Sequence, residues 1–237
     1  MNYKLKGVVL HTVKYRDNSL IIYLYTDLYG RKSFLVRGGR RGKLPAGLHP
    51  LSLIEFEANG GRKSELHCIS EYHRTKVLDG IIGDVRKNAI ALFAGELLYR
   101  LLRDEQADAS LFAFVFNSVC MLDELRAGVA NFHLHFMVHL SRYLGFSMPD
   151  KADDDTWFDI KSGRFTILRP LHPQFFEKED TLILSRLLNC PASSVSEIEL
   201  SGEQRHKFLA AMLKFYSFRF DCNILLRSPS VLHEVFI

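Results

Sequence analysis

Closely paired cysteines are missing from this sequence. Its 237 residues include four cysteines, which lie far apart and form no C-x-x-C pair: Cys68, Cys120, Cys190 and Cys222. Disulfide frameworks and zinc sites of small domains are built from closely spaced cysteines. The sequence therefore predicts four reduced, partly buried thiols in a cytosolic protein with no resident metal and no cofactor.

A long apolar run is missing as well. The longest nearly apolar stretch, residues 111–122, is interrupted by Asn117 and Ser118, whereas a membrane-spanning helix needs about 20 apolar residues. The first residues lead directly into a strand pattern and lack the apolar core of a signal peptide. We expect a cytoplasmic protein that does not enter a membrane.

Complete catalytic motifs are also absent, including the P-loop and the G-x-S-x-G nucleophile motif. The alternative is a metal-dependent hydrolase using His133, His135 and His139, of which the last two share a helix face. The zinc-protease motif would need Glu where Phe136 stands. The aspartates at 153–155 lack calcium-loop spacing. We therefore expect structural histidines, a solvated acidic face and no enzyme activity.

Positive charge is concentrated at the start of the chain. Residues 1–75 hold 13 Lys and Arg against 6 Asp and Glu, whereas the whole chain has a net charge of only +4. The remainder is therefore slightly acidic. Such asymmetry favours a polyanionic partner for the first part, with a merely solubilising basic surface as the alternative.

The basic part has the pattern of short strands. Segments rich in β-branched and aromatic residues alternate with Gly, Asn and Asp turns. The predicted strands are 4–13, 20–26, 33–37, 51–57 and 65–72. Five strands in this length fit a small closed barrel, and the OB-fold is the commonest such barrel with basic loops. An SH3-like barrel fits the same count.

After residue 75 the apolar residues follow helical spacing. The predicted helices are 85–103, 110–125, 130–144, 179–189 and 203–220. Asp84 and Ser201 are candidate N-caps, and Gly128 and Gly145 are candidate helix ends. Residues 147–173 are polar and predict a small hairpin across the turn at 161–164.

These patterns predict an α+β multidomain protein. A five-stranded OB-fold barrel would occupy residues 1–75, and an α-helical domain residues 76–237. The domain would carry a small polar insertion at about 147–173 that lacks zinc-type cysteines.

Lys and Arg gather in the predicted barrel loops. Phosphates are bound by such cations, and glycine lets a loop follow an irregular strand. The loops between strands one and two and between strands four and five flank the oligonucleotide face of an OB-fold. The predicted DNA-binding residues are Lys14, Arg16, Arg31, Lys32, Arg37, Arg40, Arg41, Lys43, Arg62 and Lys63.

Four tyrosines lie in or beside the second strand: Tyr15, Tyr23, Tyr25 and Tyr29. Tyr23 and Tyr25 have the opposite parity to Leu20, Ile22 and Leu24, so the apolar trio is predicted to face the barrel interior. The outward rings would either stack DNA bases or pack beneath the helices. The pattern leaves both interpretations open.

Several segments together resemble the bacterial RecO family. These are Gly7–Thr12 with Tyr15, Ile22–Thr26 with Gly30, Val36–Arg41, Leu48–Leu51 and Leu140–Phe146. His49 and Leu51 depart from the usual Gln and Phe of the family. Many relatives carry four cysteines after the last segment, some of which bind zinc, but residues 147–173 hold none. Zinc is therefore not expected there.

The resemblance implies an OB-fold, binding of single- and double-stranded DNA, and strand annealing. It also implies RecR and single-strand binding protein as partners, help in loading RecA, and a place at the bacterial nucleoid. For the acidic C-terminal tail of single-strand binding protein, the predicted site on the third helix is Phe132, His135, Phe136 and Arg142. A pure protein adaptor, using the aromatic helix 207–220, is a further alternative.

Overall fold

The computed structural model describes residues 2–38, 47–59, 67–102, 106–149 and 156–236. They form two compact units, residues 1–123 and 124–237. The first unit contains the predicted barrel and the helices that directly follow it. The second contains the remaining helices and a small sheet. Among the residues described, no helix is both long and apolar enough to cross a membrane.

The barrel strands are β1 (Asn2–Tyr15), β2 (Ser19–Thr26), β3 (Gly30–Arg37), β4 (Leu53–Asn59) and β5 (His67–Arg74). They form a closed barrel in the order β1-β2-β3-β5-β4, with β4 paired back to β1. Only the β3–β5 pair is parallel among these described strands. This order is that of the OB-fold, so the predicted OB-fold is confirmed over the SH3-like alternative.

Apolar side chains at alternate positions along the strands fill the barrel interior. Ile22 and Leu24 are completely buried in the core and Leu20 packs against it, as their parity predicts. Phe34 and Phe56 meet edge to face with ring centroids 5.0 Å apart, a favourable aromatic geometry.

Three helices complete the described part of the first unit: α1 (Asp79–Gly83), α2 (Val85–Leu101) and α3 (Ala109–Glu124). Asp84 caps α2 as predicted, because its carboxylate accepts from the backbone N–H of Arg86 at 2.8 Å. A Cβ at Gly95 would lie 3.0 Å from the carbonyl oxygen of Leu10. The missing side chain therefore lets α2 lie directly on β1.

The second unit has four helices in its described part, a 3₁₀ turn at Ala192–Glu197 and a three-stranded sheet. The helices are α4 (Val129–Tyr143), α5 (Lys178–Leu188), α6 (Gly202–Arg219) and α7 (Ser228–Val235), and the strands are β6 (Trp157–Asp159), β7 (Arg164–Thr166) and β8 (Phe175–Phe176). The predicted hairpin is the β6–β7 pair, and β8 joins its other edge.

Helix ends in this unit are set by local chemistry. Ser201 and Gln204 form the predicted capping box at the start of α6. Gly145, at φ +80°, follows the end of α4 as expected. The interpretation of Gly128 as the end of the preceding helix is wrong. That helix ends at Glu124, and Gly128, at φ +73°, is the N-cap of α4.

Candidate nucleic-acid interface

The outward-facing side chains of β1, β2 and β3 form four rows across the barrel. A β-bulge at Leu10 shifts the register of β1 between the first row and the second. The rows, taken from the strand register, are Val8–Tyr25–Arg31, His11–Tyr23–Ser33, Val13–Ile21–Leu35 and Tyr15–Ser19–Arg37. We refer to the first two rows as the covered half of this face and to the last two as the open half.

Tyr99 of α2 packs on the covered half. Its ring centroid lies 4.9 Å from that of His11 and 5.0 Å from that of Tyr23. Arg31 donates from Nη1 to the carbonyl oxygen of Tyr99 at 2.7 Å, and its guanidinium lies 4.7 Å from the Tyr99 ring centroid. These contacts hold Arg31 against α2, so its guanidinium is not open to a phosphate of DNA.

The tyrosines at the centre of β2 are covered too. Tyr25 is completely buried and lies against Phe112 of α3, with ring centroids 6.1 Å apart. Tyr23 is half-buried under Tyr99. Of the two interpretations of these rings, packing beneath the helices is correct, and neither is open to a DNA base in this structure.

Exposed cations gather at the end of the barrel where the open half lies. Arg16 lies in the β1–β2 turn and Arg37 at the end of β3, and both are exposed, as is Lys14. The backbone N–H of Gly38 donates to the carbonyl oxygen of Asn18 at 2.6 Å, which ties the end of β3 to this turn. Lys14 belongs to β1 and not to the loop, contrary to the prediction.

The Arg16 guanidinium lies 5.2 Å from the ring centroid of Tyr15, within cation–π range. Arg16 also has a φ of +55°, an uncommon conformation for a residue with a side chain. The turn therefore places a cation directly beside an exposed aromatic ring.

The other predicted cations do not gather at this place within the described chain. Lys32 is exposed but stands five residues before Arg37 on β3, about 17 Å away along the strand. Tyr29, in the β2–β3 turn, lies beyond the opposite end of β2 from Tyr15. The remaining predicted residues lie outside the described residues: Arg40, Arg41, Lys43, Arg62 and Lys63.

The histidines proposed as metal ligands contact backbone carbonyls. His135 and His139 place Nε2 3.0 Å and 3.1 Å from the carbonyl oxygens of Cys190 and Leu187. A carbonyl can only accept, so each Nε2 carries the hydrogen. Burial lowers the pKa of His135 to about 4. It lowers the pKa of His133 to about 3.

These contacts place His135 and His139 against carbonyl groups at the end of α5, where burial lowers the pKa of both side chains. No group of three or more His, Cys, Asp or Glu residues suited to a metal ion occurs in the described part of the chain. The aspartates at 153–155 lie outside it. Nothing in the described geometry therefore favours the hydrolase alternative.

The predicted tail-binding residues on α4 differ in their exposure to solvent. Phe132, His135 and Phe136 are buried in the core, so none of them is open to a partner in this structure. Arg142 is exposed. In α6 the aromatic residues Phe208, Phe215 and Tyr216 are completely buried, whereas Phe218 is exposed.

Two features of the interface were not predicted from the sequence. Val13, Ile21 and Leu35 form the apolar row of the open half, and Tyr99 covers the other half. Gly95, a lone glycine inside a helical pattern, was the available signal for close backbone approach. No comparable signal marks Tyr99.

A closed OB barrel with exposed cations at one end of its β1–β2–β3 face defines a nucleic-acid-binding class of protein. Models of two families match the chain. The one described as Recombination protein O N terminal matches residues 1–77, and the one described as Recombination protein O C terminal matches residues 82–221. The chain belongs to the RecO family.

Individual relatives agree over the whole length. The chain is similar to the DNA repair protein RecO of Bacteroides fragilis, with 35% identity over 98% of each chain. The protein of the same name from Phocaeicola vulgatus is also 35% identical over 98% of each chain. That from Flavobacterium johnsoniae is 28% identical over the full length of both.

Proposed function

We propose that this protein is a DNA-binding recombination mediator that acts in DNA repair. It anneals single strands and helps to load the recombinase RecA onto DNA coated by single-strand binding protein, at the nucleoid in the cytoplasm. Membership of a family whose members are named DNA repair protein supports this role. The observation that carries the DNA-binding step is the gathering of Arg16 and Arg37 at the open half, with Lys14 exposed at the same end of the barrel.

The cations at 40, 41 and 43 extend this site in the proposal. They follow Gly38 within five residues, so the covalent chain keeps them within about 18 Å of it. Gly38 is itself tied to the β1–β2 turn. Phosphates bound at Arg16 and Arg37 would therefore lie within reach of these further cations. Lys32, Arg62 and Lys63 stay in the proposal as more distant contacts.

The test is fluorescence anisotropy of labelled single-stranded DNA across a salt series. Combined Arg40→Ala, Arg41→Ala and Lys43→Ala should lower the magnitude of the salt slope by roughly 2, since each phosphate contact on a single strand contributes about 0.7. A matched control removes three exposed cations of the second unit: Lys161, Arg164 and Arg186. Equal slopes in the two variants would remove the loop from the site, and no binding by the wild type would remove the function.

Protein partners form the second part of the proposal. RecR and the acidic tail of single-strand binding protein would dock on the protein, with the tail on the second unit. Of the tail-binding residues predicted from sequence, Arg142 is an exposed cation, and a cation can pair with a carboxylate of the tail. A tail peptide titrated into the wild type and Arg142→Ala tests this docking. Equal affinities would exclude Arg142, and no binding would exclude a tail site.

The proposed role includes no catalytic step. Titration of the purified protein with zinc, followed by elemental analysis, checks the part of this that concerns metal. About one zinc retained per chain would contradict it.

A further inference from the structure

The open half combines an apolar floor with an exposed aromatic ring. Val13, Ile21 and Leu35 form one row across three strands, and Val13 is 42% exposed. Tyr15 begins the next row and is 37% exposed. Ile21 and Leu35 are half-buried. An apolar strip that is partly exposed, with a ring at its edge, suits a flat ligand that presents a π face.

Charge around the strip favours a polyanion as that ligand. Lys14, Arg16 and Arg37 are exposed at the same end of the barrel, where Asp17 is the carboxylate in the turn. Because Arg16 lies over the Tyr15 ring at 5.2 Å, ring and cation are close enough to contact the base and the phosphate of one nucleotide. Unpaired bases offer open π faces, whereas the bases of a duplex are already stacked.

We propose that Tyr15 is a base-stacking residue for single-stranded DNA, with Val13, Ile21 and Leu35 as the floor beside it. This rests on the proposed DNA-binding function and adds the residue that selects unpaired bases. The covered half limits the platform, because Tyr99 and Phe112 already lie on Tyr23 and Tyr25. A single strand therefore contacts the face only between the β1–β2 turn and the row of Ile21.

The chain supplies a matched control in Tyr29. It is 45% exposed, comparable with Tyr15, but it lies in the β2–β3 turn at the far end of β2. The length of β2 separates the two turns by about 23 Å. Tyr29→Ala therefore removes the same type of side chain from a position outside the proposed stacking site.

The experiment measures the affinity of the full chain for two labelled probes, oligodeoxythymidine and an abasic oligonucleotide of equal length. Tyr15→Ala should bind the thymidine probe about fivefold more weakly than the wild type, the lower bound for one stacked base. Its affinity for the abasic probe and its salt slope should be unchanged, since no phosphate contact is lost. Tyr15→Phe should restore thymidine binding, and Tyr29→Ala should behave as the wild type.

Two results would overturn this assignment. One is equal thymidine affinity for Tyr15→Ala and Tyr29→Ala. The other is an equal loss on both probes by Tyr15→Ala, which would indicate a phosphate or folding effect. Thermal unfolding of each variant identifies a folding defect, and Tyr15→Phe then decides by whether the ring alone restores the preference for bases. If the wild type binds neither probe, the proposed DNA-binding function fails first.

Discussion

Arg31 and Arg37 lie on the same strand, face the same side of the barrel and stand six residues apart. Arg31 is half-buried, hydrogen-bonded to the backbone of α2 and stacked on Tyr99. Arg37 is exposed beside the β1–β2 turn. A cluster of cations in the sequence is therefore not yet a binding site. What covers each cation decides whether it stabilises the fold or meets a ligand.

The largest expected effect is on stability at the covered half. Arg31→Ala should lower the free energy of unfolding by about 2 kcal/mol, because it removes a hydrogen bond from a charged donor and a cation–π contact. Arg37→Ala, on the same strand and face, should change it by less than about 0.5 kcal/mol. Urea unfolding of both variants measures this, and similar losses for the two would abolish the distinction.

The next effect is on DNA affinity at the open half. Arg37→Ala should weaken single-strand binding about fourfold at physiological salt and lower the magnitude of the salt slope by about 0.7, as expected for one lost phosphate contact. Arg31→Ala should leave the slope unchanged at temperatures where it is folded. An anisotropy series for the two variants at matched folded fraction is the measurement. A steeper loss for Arg31 would reverse the proposed roles.

The smallest effect concerns protonation of His11, whose ring lies beside Tyr99. Burial, and then the charge of Arg100, lower the pKa of His11 below its ordinary value of 6.5. As pH falls below about 6.5 the unfolded chain therefore binds a proton before the folded one does, so the contribution of His11 to stability decreases. Between pH 7 and 5 the free energy of unfolding should fall slightly less in His11→Gln than in the wild type.

The buried histidines His133 and His135 contribute equally to the wild type and the variant, so they cancel in this difference. Identical pH profiles would mean that the contact with Tyr99 does not hold His11 neutral. A steeper fall in the variant would give the opposite sign and place His11 among groups stabilised by protonation.

Strand and helix types followed from sequence because local patterns determine them. The segments with period-2 alternation form β1 to β5, and Ser201 and Gln204 predicted the capping box of α6. Elements that form only through contacts with another segment of the chain could not be predicted from the sequence. β8 has only two residues and exists through its pairing with β6, and α7 is a short helix with Pro at its start.

The site was predictable only up to the parity of the strands. Alternation correctly placed Ile22 and Leu24 inside and Tyr23 and Tyr25 outside. Alternation does not indicate whether a helix covers the outer face of the barrel. On α4, likewise, Phe132 and Phe136 were recognised as a cluster, but their burial depends on contacts distant in sequence.

The close approach of Gly95 to Leu10 has a consequence for dissecting the protein. A fragment that stops at residue 77, where the N-terminal family match ends, would leave Val8, Leu10 and Tyr25 without the helices that bury them in the intact unit. Such an apolar exterior promotes aggregation. Amide hydrogens of β1 and α2 should accordingly exchange with solvent in one cooperative opening, and the smallest fragment worth isolating extends through α3.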